Sequence, residues 1–212
     1  MTNHERTFDL LRQCGAILTN SHFVYPNGRH GASLFDQGRF FESVALVDEV
    51  CGYLAAPFLK CCYRGVEVVV GLEGGGAILA PATARHMTAI QESDEACLAV
   101  HLERIDGSFR LDRSQIELVA HKNVLIVEDA LVTGESAIAA VGLMEGHEGN
   151  VVGVSAVCNR GHITEQYISV RRLHTLVEMN DVSYDRDECP MCQQGQPINP
   201  NVTWEGARLV GG

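Results

Sequence analysis

No run of 18 apolar residues occurs anywhere in this 212-residue chain, so a membrane-spanning helix is not expected. The chain also lacks a basic excess: 16 lysines and arginines stand against 27 aspartates and glutamates, a formal net charge of −11. Binding duplex nucleic acid needs a basic footprint, and this composition argues against that class. It does not exclude an anionic small substrate, because a local site can be positive on an acidic protein. The opening residues MTNHERTFDLLRQCG have neither the basic start nor the apolar core of a secretory signal, which makes the cytoplasm the default expectation. On the same ground the eight cysteines (Cys14, Cys51, Cys61, Cys62, Cys97, Cys158, Cys189 and Cys192) are expected as reduced thiols rather than a disulfide framework. Cys97 and Cys158 sit inside apolar runs and are expected to be small core residues. There is no internal repeat and no low-complexity linker.

What is present is a 46% apolar chain, enough for a substantial core in one domain. Short, Val-rich runs at 66–71, 97–102, 123–129, 151–158 and 173–179 are apolar at consecutive positions, as strands covered on both faces are. Segments of helical composition, 75–90 and 135–147, lie between them. This alternation predicts βαβ units and an α/β fold with a parallel sheet. A helix at about 4–14 and a turn-rich stretch (20–33) precede the core, followed by one helix from Gly38 to about Lys60 that Pro57 breaks or kinks. The Pro-, Gly- and Gln-rich stretch ECPMCQQGQPINPNVTWEG reads as an irregular extension. The division is a single domain over 1–212: about 1–36, an α/β core over about 37–180, and an extension over about 181–212.

Ligands of open α/β sheets sit at the carboxyl ends of the strands, which directs attention to VLIVEDALVTGES (124–136). Glu128 and Asp129 close an apolar run there. Two adjacent acids suit vicinal hydroxyls, a divalent cation or a developing positive charge; a solvated strand end capping the next helix would leave the same pair. Val132-Thr133-Gly134-Glu135-Ser136 leads into a helix, and backbone N–H groups at such a start bind phosphate. Thr133 or Ser136 could equally be a simple N-cap. VVVGLEGGGAILA (68–80) is a strand, a glycine turn and a helix start, with three glycines that permit close approach of an anion or merely a tight turn. It is neither GxGxxG nor a Walker A loop. The polar stretch HLERIDGSFRLDRSQ (101–115) carries Arg104, Arg110 and Arg113 and could be no more than a charged hairpin.

Taken together, the acidic pair and the loop after it resemble the phosphoribosyl-pyrophosphate (PRPP) signature of type I phosphoribosyltransferases. Glu128, Asp129, Thr133, Gly134 and Ser136 match that pattern, Val132 stands where a first Thr is usual, and Glu135 where Gly is common. The resemblance implies a type I phosphoribosyltransferase-like open parallel sheet flanked by helices, with a small N-terminal hood. It implies that Glu128 and Asp129 hold the ribose hydroxyls and that Ala130, Leu131 and residues 132–136 cradle the 5-phosphate. Leu72, Glu73, Gly74 and Gly75 then fall at the pyrophosphate loop, and 101–117 at a mobile loop in which Arg104 is the best catalytic residue. Asn159-Arg160 and the hood segment with Gly28-Arg29-His30 are similar to the orotate branch, in which an arginine grips the base carboxylate. Arg160, Arg29 and Val132 are thus the implied base contacts. PRPP and orotate are the implied substrates, with another pyrimidine or purine base (Val132 leaves room for one) or a non-catalytic PRPP- or nucleotide-binding regulator of the same fold as the alternatives; Mg²⁺ is held mainly through PRPP with no direct protein ligand expected, and a homodimer is the implied assembly.

Cys189-Pro-Met-Cys192 has CxxC spacing with no second CxxC after it. A structural zinc would need two more ligands, for which Cys61, Cys62 or a histidine are candidates that the sequence does not place. A thiol-containing turn is the expectation.

Overall fold

The computed structural model describes residues 2–25, 27–62, 64–91, 95–179, 182–200, 202–203 and 208–209. The chain divides into two compact units, Met1–Ser43 with Met179–Gly212, and Val44–Glu178.

In the first unit, helix α1 (Asn3–Gln13) starts at a capping box: Thr2 Oγ1 accepts from the Glu5 amide, and Glu5 Oε2 accepts from the Thr2 amide at 2.7 Å. Such a box satisfies two of the amides a helix start leaves unpaired. Short strands β1 (Ile17–Leu18), β2 (Phe23–Val24), β3 (His30–Gly31) and β4 (Leu34–Phe35) follow; β1 pairs with β4 and β2 with β3, both antiparallel. Phe23, Tyr25 and Leu34 form a small buried cluster there. Helix α2 (Gln37–Phe41) is N-capped by Asp36. The C-terminal part adds a 3₁₀ turn (Arg186–Glu188) and a short helix (Pro190–Gln193), so the extension expected to be irregular carries helical structure. Of its quoted residues, Asn201 and 204–206 lie outside the described residues.

The second unit begins with α3 (Val44–Ala55) and a 3₁₀ turn at Ala56–Phe58. The single helix expected from Gly38 to Lys60 is therefore two helices. Pro57 ends the second of them, as a residue without an amide donor does. Strand β5 (Val68–Gly71), helix α4 (Gly75–Gln91), strand β6 (Leu98–His101), a hairpin of β7 (Glu103–Ile105) and β8 (Ser108–Arg110), helix α5 (Arg113–Val119), strand β9 (Asn123–Leu131), helix α6 (Glu135–Gly146) and strands β10 (Asn150–Asn159) and β11 (Leu173–Glu178) complete it. Five strands form one parallel sheet in the order β11-β10-β9-β5-β6. Alternate residues of the central strands reach opposite faces. Val68, Val70, Val124, Ile126, Val154 and Ala156 pack with Ala137, Ala140, Val141 and Met144 of α6. On the other face Ser155 Oγ donates to the Leu54 carbonyl of α3 at 3.1 Å. Both faces are covered, which is why the strands read as continuous apolar runs. Cys97 and Cys158 are buried thiols, as expected. Among the described residues no helix is long and apolar enough to cross a membrane.

Candidate active site

Parallel pairing aligns the carboxyl ends of the central strands. Gly71 lies beside Val127 and Leu131 beside Asn159, so the segments that follow β5, β9 and β10 emerge along one edge. This edge gathers three of the sequence-predicted segments: Leu72–Gly75, the stretch from Glu128 to Ser136, and Asn159-Arg160.

The acidic pair is not a solvated strand end. Strand β9 runs two residues past the expected boundary, to Leu131, and Glu128 and Asp129 are only 7% and 4% exposed. Asp129 Oδ1 accepts from the Ala130 amide at 2.8 Å, while Asp129 Oδ2 is buried without a hydrogen-bond partner. Burial, and then the neighbouring Asp129 carboxyl, push Glu128 up to about 9; burial also raises Asp129. Glu128 Oε1 accepts from the Asp129 amide at 3.3 Å, so the pair is two buried adjacent acids, one of which keeps an oxygen able to accept a further hydrogen bond.

The loop after β9 has the shape of an anion cradle. Its N-cap is Gly134, in the left-handed region at φ 77°, and no side chain caps α6. Neither Thr133 nor Ser136, the alternative caps the sequence left open, is the N-cap. Thr133 Oγ1 is 3.4 Å from the Glu135 amide, and Ser136 Oγ accepts instead from Arg104. Val132, Thr133 and Glu135 are exposed. The Glu135 amide donates to Thr133 Oγ1, and the helix dipole favours negative charge at this start of α6.

The glycines after β5 have a packing reason. A β-carbon at Gly75 would overlap the Asp129 carboxylate, and one at Gly76 would come within 2.6 Å of the Val127 carbonyl. Gly74 takes φ 89°. Only glycine lets this turn lie so close to β9. Glu73 is exposed and Leu72 is a core residue, so Leu72 can offer only its backbone to a ligand.

Arg104 joins these pieces. Its Nη2 donates to Ser136 Oγ at 2.7 Å, its Nη1 donates to the Gly107 carbonyl at 3.1 Å, and its Nε lies 3.8 Å from Glu73 Oε2. The guanidinium stacks 4.1 Å from the centre of the Phe109 ring, a cation–π contact that fixes its plane. The supporting hairpin turns at Asp106-Gly107, both with positive φ, the requirement of a tight two-residue turn. The segment 101–115 is therefore an ordered hairpin followed by α5. Arg113 pairs instead with Glu117 of its own helix.

Asn159 and Arg160 divide their work. The Asn159 amide is buried; it donates to the Ile163 carbonyl and accepts from the Ile163 amide, both at 3.0 Å, which clamps the turn after β10. The Arg160 amide donates to the Leu131 carbonyl at 2.8 Å, tying its backbone to the cradle. A β-carbon at Gly161 would overlap the Val132 carbonyl, so the two loops touch through their backbones. Arg29 lies in the other unit, where its guanidinium donates to Ser183 Oγ, Asp185 Oδ1 and the Ser183 carbonyl. Its assignment to the base rests on the likeness of its segment alone. Sequence reasoning had no signal for the Phe109 platform, because a single aromatic in a polar hairpin has no periodic pattern.

The sequence profile of the phosphoribosyl transferase domain matches residues 60–184, which is more than half of the chain. A protein of Caldicellulosiruptor saccharolyticus named orotate phosphoribosyltransferase is 28% identical over 92% of this chain and 95% of its own length. One of the same name from Bartonella bacilliformis is 30% identical over 89% of this chain and 91% of its own. In fold, the chain is similar to the orotate phosphoribosyltransferase of Mycobacterium tuberculosis, with a TM-score of 0.63 at 19% identity over 84% of this chain and 97% of that one. With the acidic pair, the uncapped α6 and the glycine turn assembled at one sheet edge, these matches place the chain in the phosphoribosyl transferase domain family.

Proposed function

We propose that this protein transfers the 5-phosphoribosyl group of PRPP to orotate, giving orotidine 5'-monophosphate and pyrophosphate, as a cytoplasmic homodimer in pyrimidine biosynthesis. One observation carries the reading: Arg104 bridges Glu73 of the glycine turn and Ser136 of the α6 cradle, above a buried acidic pair whose Asp129 Oδ2 has no partner. The relatives' shared name supplies the base.

In this reading a ring nitrogen of orotate attacks C1 of the ribose. The C1–O bond to pyrophosphate breaks, its electron pair leaves with pyrophosphate, and the proton of the attacking ring nitrogen passes to the departing pyrophosphate or to solvent. Charge that builds on the ribose ring resembles that of glycoside cleavage. Glu128 and Asp129 accept from the ribose hydroxyls and stabilise that charge once ionised. The backbone amides of 134–136, with the Thr133 hydroxyl that accepts from the Glu135 amide turning to the ligand, hold the 5-phosphate. Residues 72–75 present backbone to the pyrophosphate, and Arg104 neutralises it and excludes water. Arg160 grips the base carboxylate in two parallel hydrogen bonds, and Val132 faces the base.

The donor set fits magnesium, because hard cations take oxygen ligands and Glu128 and Asp129 offer them beside an unsatisfied Oδ2. Bound mainly through PRPP, the ion would offset the charge of the leaving group.

The test is direct. Protein, PRPP, magnesium and orotate are mixed and orotate's ultraviolet absorbance is followed. A fall that requires PRPP supports the proposal. No change at high enzyme, with PRPP binding seen by calorimetry, rejects orotate, and a panel of other bases in the same assay then finds the acceptor.

A further inference from the structure

Four side chains that the transfer reaction does not use meet in the unit made of Met1–Ser43 and Met179–Gly212. His22 precedes β2, and His30 opens β3, its partner in the hairpin. Backbone hydrogen bonds between His30 and Tyr184, 2.8 and 2.9 Å, bring the C-terminal segment alongside. The 3₁₀ turn Arg186–Glu188 then delivers Cys189, which caps the short helix holding Cys192. One possible ligand atom from each residue lies within 4.8 Å of all the others. His22, His30 and Cys189 are buried and Cys192 is half-buried.

The distances have the form of a coordination shell. Cys189 Sγ and Cys192 Sγ each lie 3.7 Å from His22 Nε2, and Cys192 Sγ lies 3.4 Å from His30 Nδ1. A tetrahedral ion bonded at about 2.3 Å to sulfur and about 2.0 Å to nitrogen sets N···S edges of about 3.5 Å. The His22 Nε2 to His30 Nδ1 edge is 2.7 Å, about 0.6 Å shorter than two nitrogens on such an ion would stand, and the two edges from Cys189 to Cys192 and to His30 lie within 4.8 Å. The tautomer of His22 is already set. Its Nδ1 is 2.8 Å from the Gln196 carbonyl, which can only accept, so Nδ1 carries the proton and Nε2 presents its lone pair to the cluster. A carbonyl behind a histidine in this way orients metal-bound imidazoles.

We propose that His22, His30, Cys189 and Cys192 bind one zinc ion as a structural site. Two thiolates and two imidazoles in a closed, largely buried tetrad suit zinc, whose structural sites are four-coordinate and leave no position for substrate. The expected thiol turn is thereby completed by two histidines. Cys61 and Cys62, the thiols first in view as further ligands, lie instead in the unit Val44–Glu178, 3.4 Å from each other. The site pins the β2–β3 hairpin to the C-terminal segment. Arg29, one residue before His30, is held between the same two segments through Ser183 and Asp185. Zinc therefore orders the segment that carries Arg29. This inference is independent of the base and of turnover.

The test is metal content. Full-length protein is purified from zinc-supplemented cells under reducing conditions without chelator, and metals are measured by inductively coupled plasma mass spectrometry and by native mass spectrometry. One zinc per chain is expected. C192S and H30N should lose it, whereas C61S and C62S should keep it. A chelator should lower the melting temperature of wild type and leave that of C192S unchanged. Reduced, metal-free wild type should take up one cobalt ion and show the absorption of a tetrahedral thiolate site. Wild type with no stoichiometric zinc that also takes up neither zinc nor cobalt overturns the proposal even if every variant fails to fold. A Cys189–Cys192 disulfide in freshly alkylated protein overturns it as well.

Discussion

The backbone of Gly75 presses against the Asp129 carboxylate so closely that a β-carbon at 75 would overlap Oδ2, Cγ and Cβ of that side chain. Gly75→Ala must therefore displace Asp129 or lift the start of α4. A drop of at least about tenfold in kcat/KM for PRPP is expected, with a cooperative melt retained, since misplacing a catalytic group by about 1 Å has effects of that order or larger. Gly142→Ala is the control: nothing lies within 4 Å of a β-carbon there, and an exposed mid-helix glycine replaced by alanine stabilises by about 0.5–1 kcal/mol. Equal activity of G75A and wild type would remove the case for this contact as a positioning device.

Asp129→Asn separates charge from shape. The amide oxygen can still accept from the Ala130 amide, and the raised pKa of Asp129 means the fold gains nothing from its charge. Turnover is expected to fall by orders of magnitude while the melting temperature holds or rises. Wild-type activity in D129N would show that the carboxylate does not hold the ribose.

The pH dependence of stability has a definite sign. Glu128 is raised from an ordinary 4.5 to about 9, first by burial and then by Asp129. Between those values the folded chain holds a proton that the unfolded chain has released, so stability falls as pH rises through this window. Glu128→Gln removes the effect. Melting scans from pH 5 to pH 9 should show a steeper decline for wild type than for E128Q, the gap closing toward pH 5. Parallel curves would mean the Glu128 carboxyl is not held protonated.

Much of this was legible in the sequence, for physical reasons. Doubly covered strands must be apolar throughout, so β5, β9 and β10 announced themselves, and a glycine run between a strand and a helix marked a close backbone approach. The acidic pair and the cradle were found from local pattern because their residues are contiguous. Burial of that pair was not readable: it depends on Gly75 and Gly76 closing over β9 from about 50 residues away. The tetrad of His22, His30, Cys189 and Cys192 was only half visible, because a CxxC shows its own spacing while its partners lie far off in the chain and two histidines have no pattern. The start of α6 stayed open between a cradle and a side-chain cap for a different reason. Thr133 and Ser136 are good capping residues, but a left-handed Gly134 took the position, and Thr133 reaches only the Glu135 amide at 3.4 Å.

Arg104 should matter to rate more than to stability. It is partly exposed, and its partners Ser136 and Glu73 belong to the cradle and the glycine turn. In R104A, kcat is expected to fall about 10²-fold or more with the melting temperature nearly unchanged. Arg104→Lys should recover only part of this, because a lysine keeps the charge but lacks the fork that spans two partners and the plane that stacks on Phe109. Full recovery by lysine would show that charge alone suffices.

Arg160 tests the base. Arg160→Ala keeps the backbone bond from its amide to the Leu131 carbonyl, and a melting scan of the variant checks that the turn survives. A lost hydrogen bond to a charged partner is worth about 1.5–3 kcal/mol, or about ten- to hundredfold in affinity. The KM for orotate should rise by that factor while calorimetric binding of PRPP with magnesium stays as in wild type. Val132→Thr tests the neighbouring position from the other side. The side chain is exposed beside the Arg160 turn, and a hydroxyl there should tighten orotate by about 0.5–1.5 kcal/mol if orotate is the base. Should R160A weaken PRPP and orotate alike, the arginine is structural, and V132T then becomes the cleaner probe of which base the site accepts.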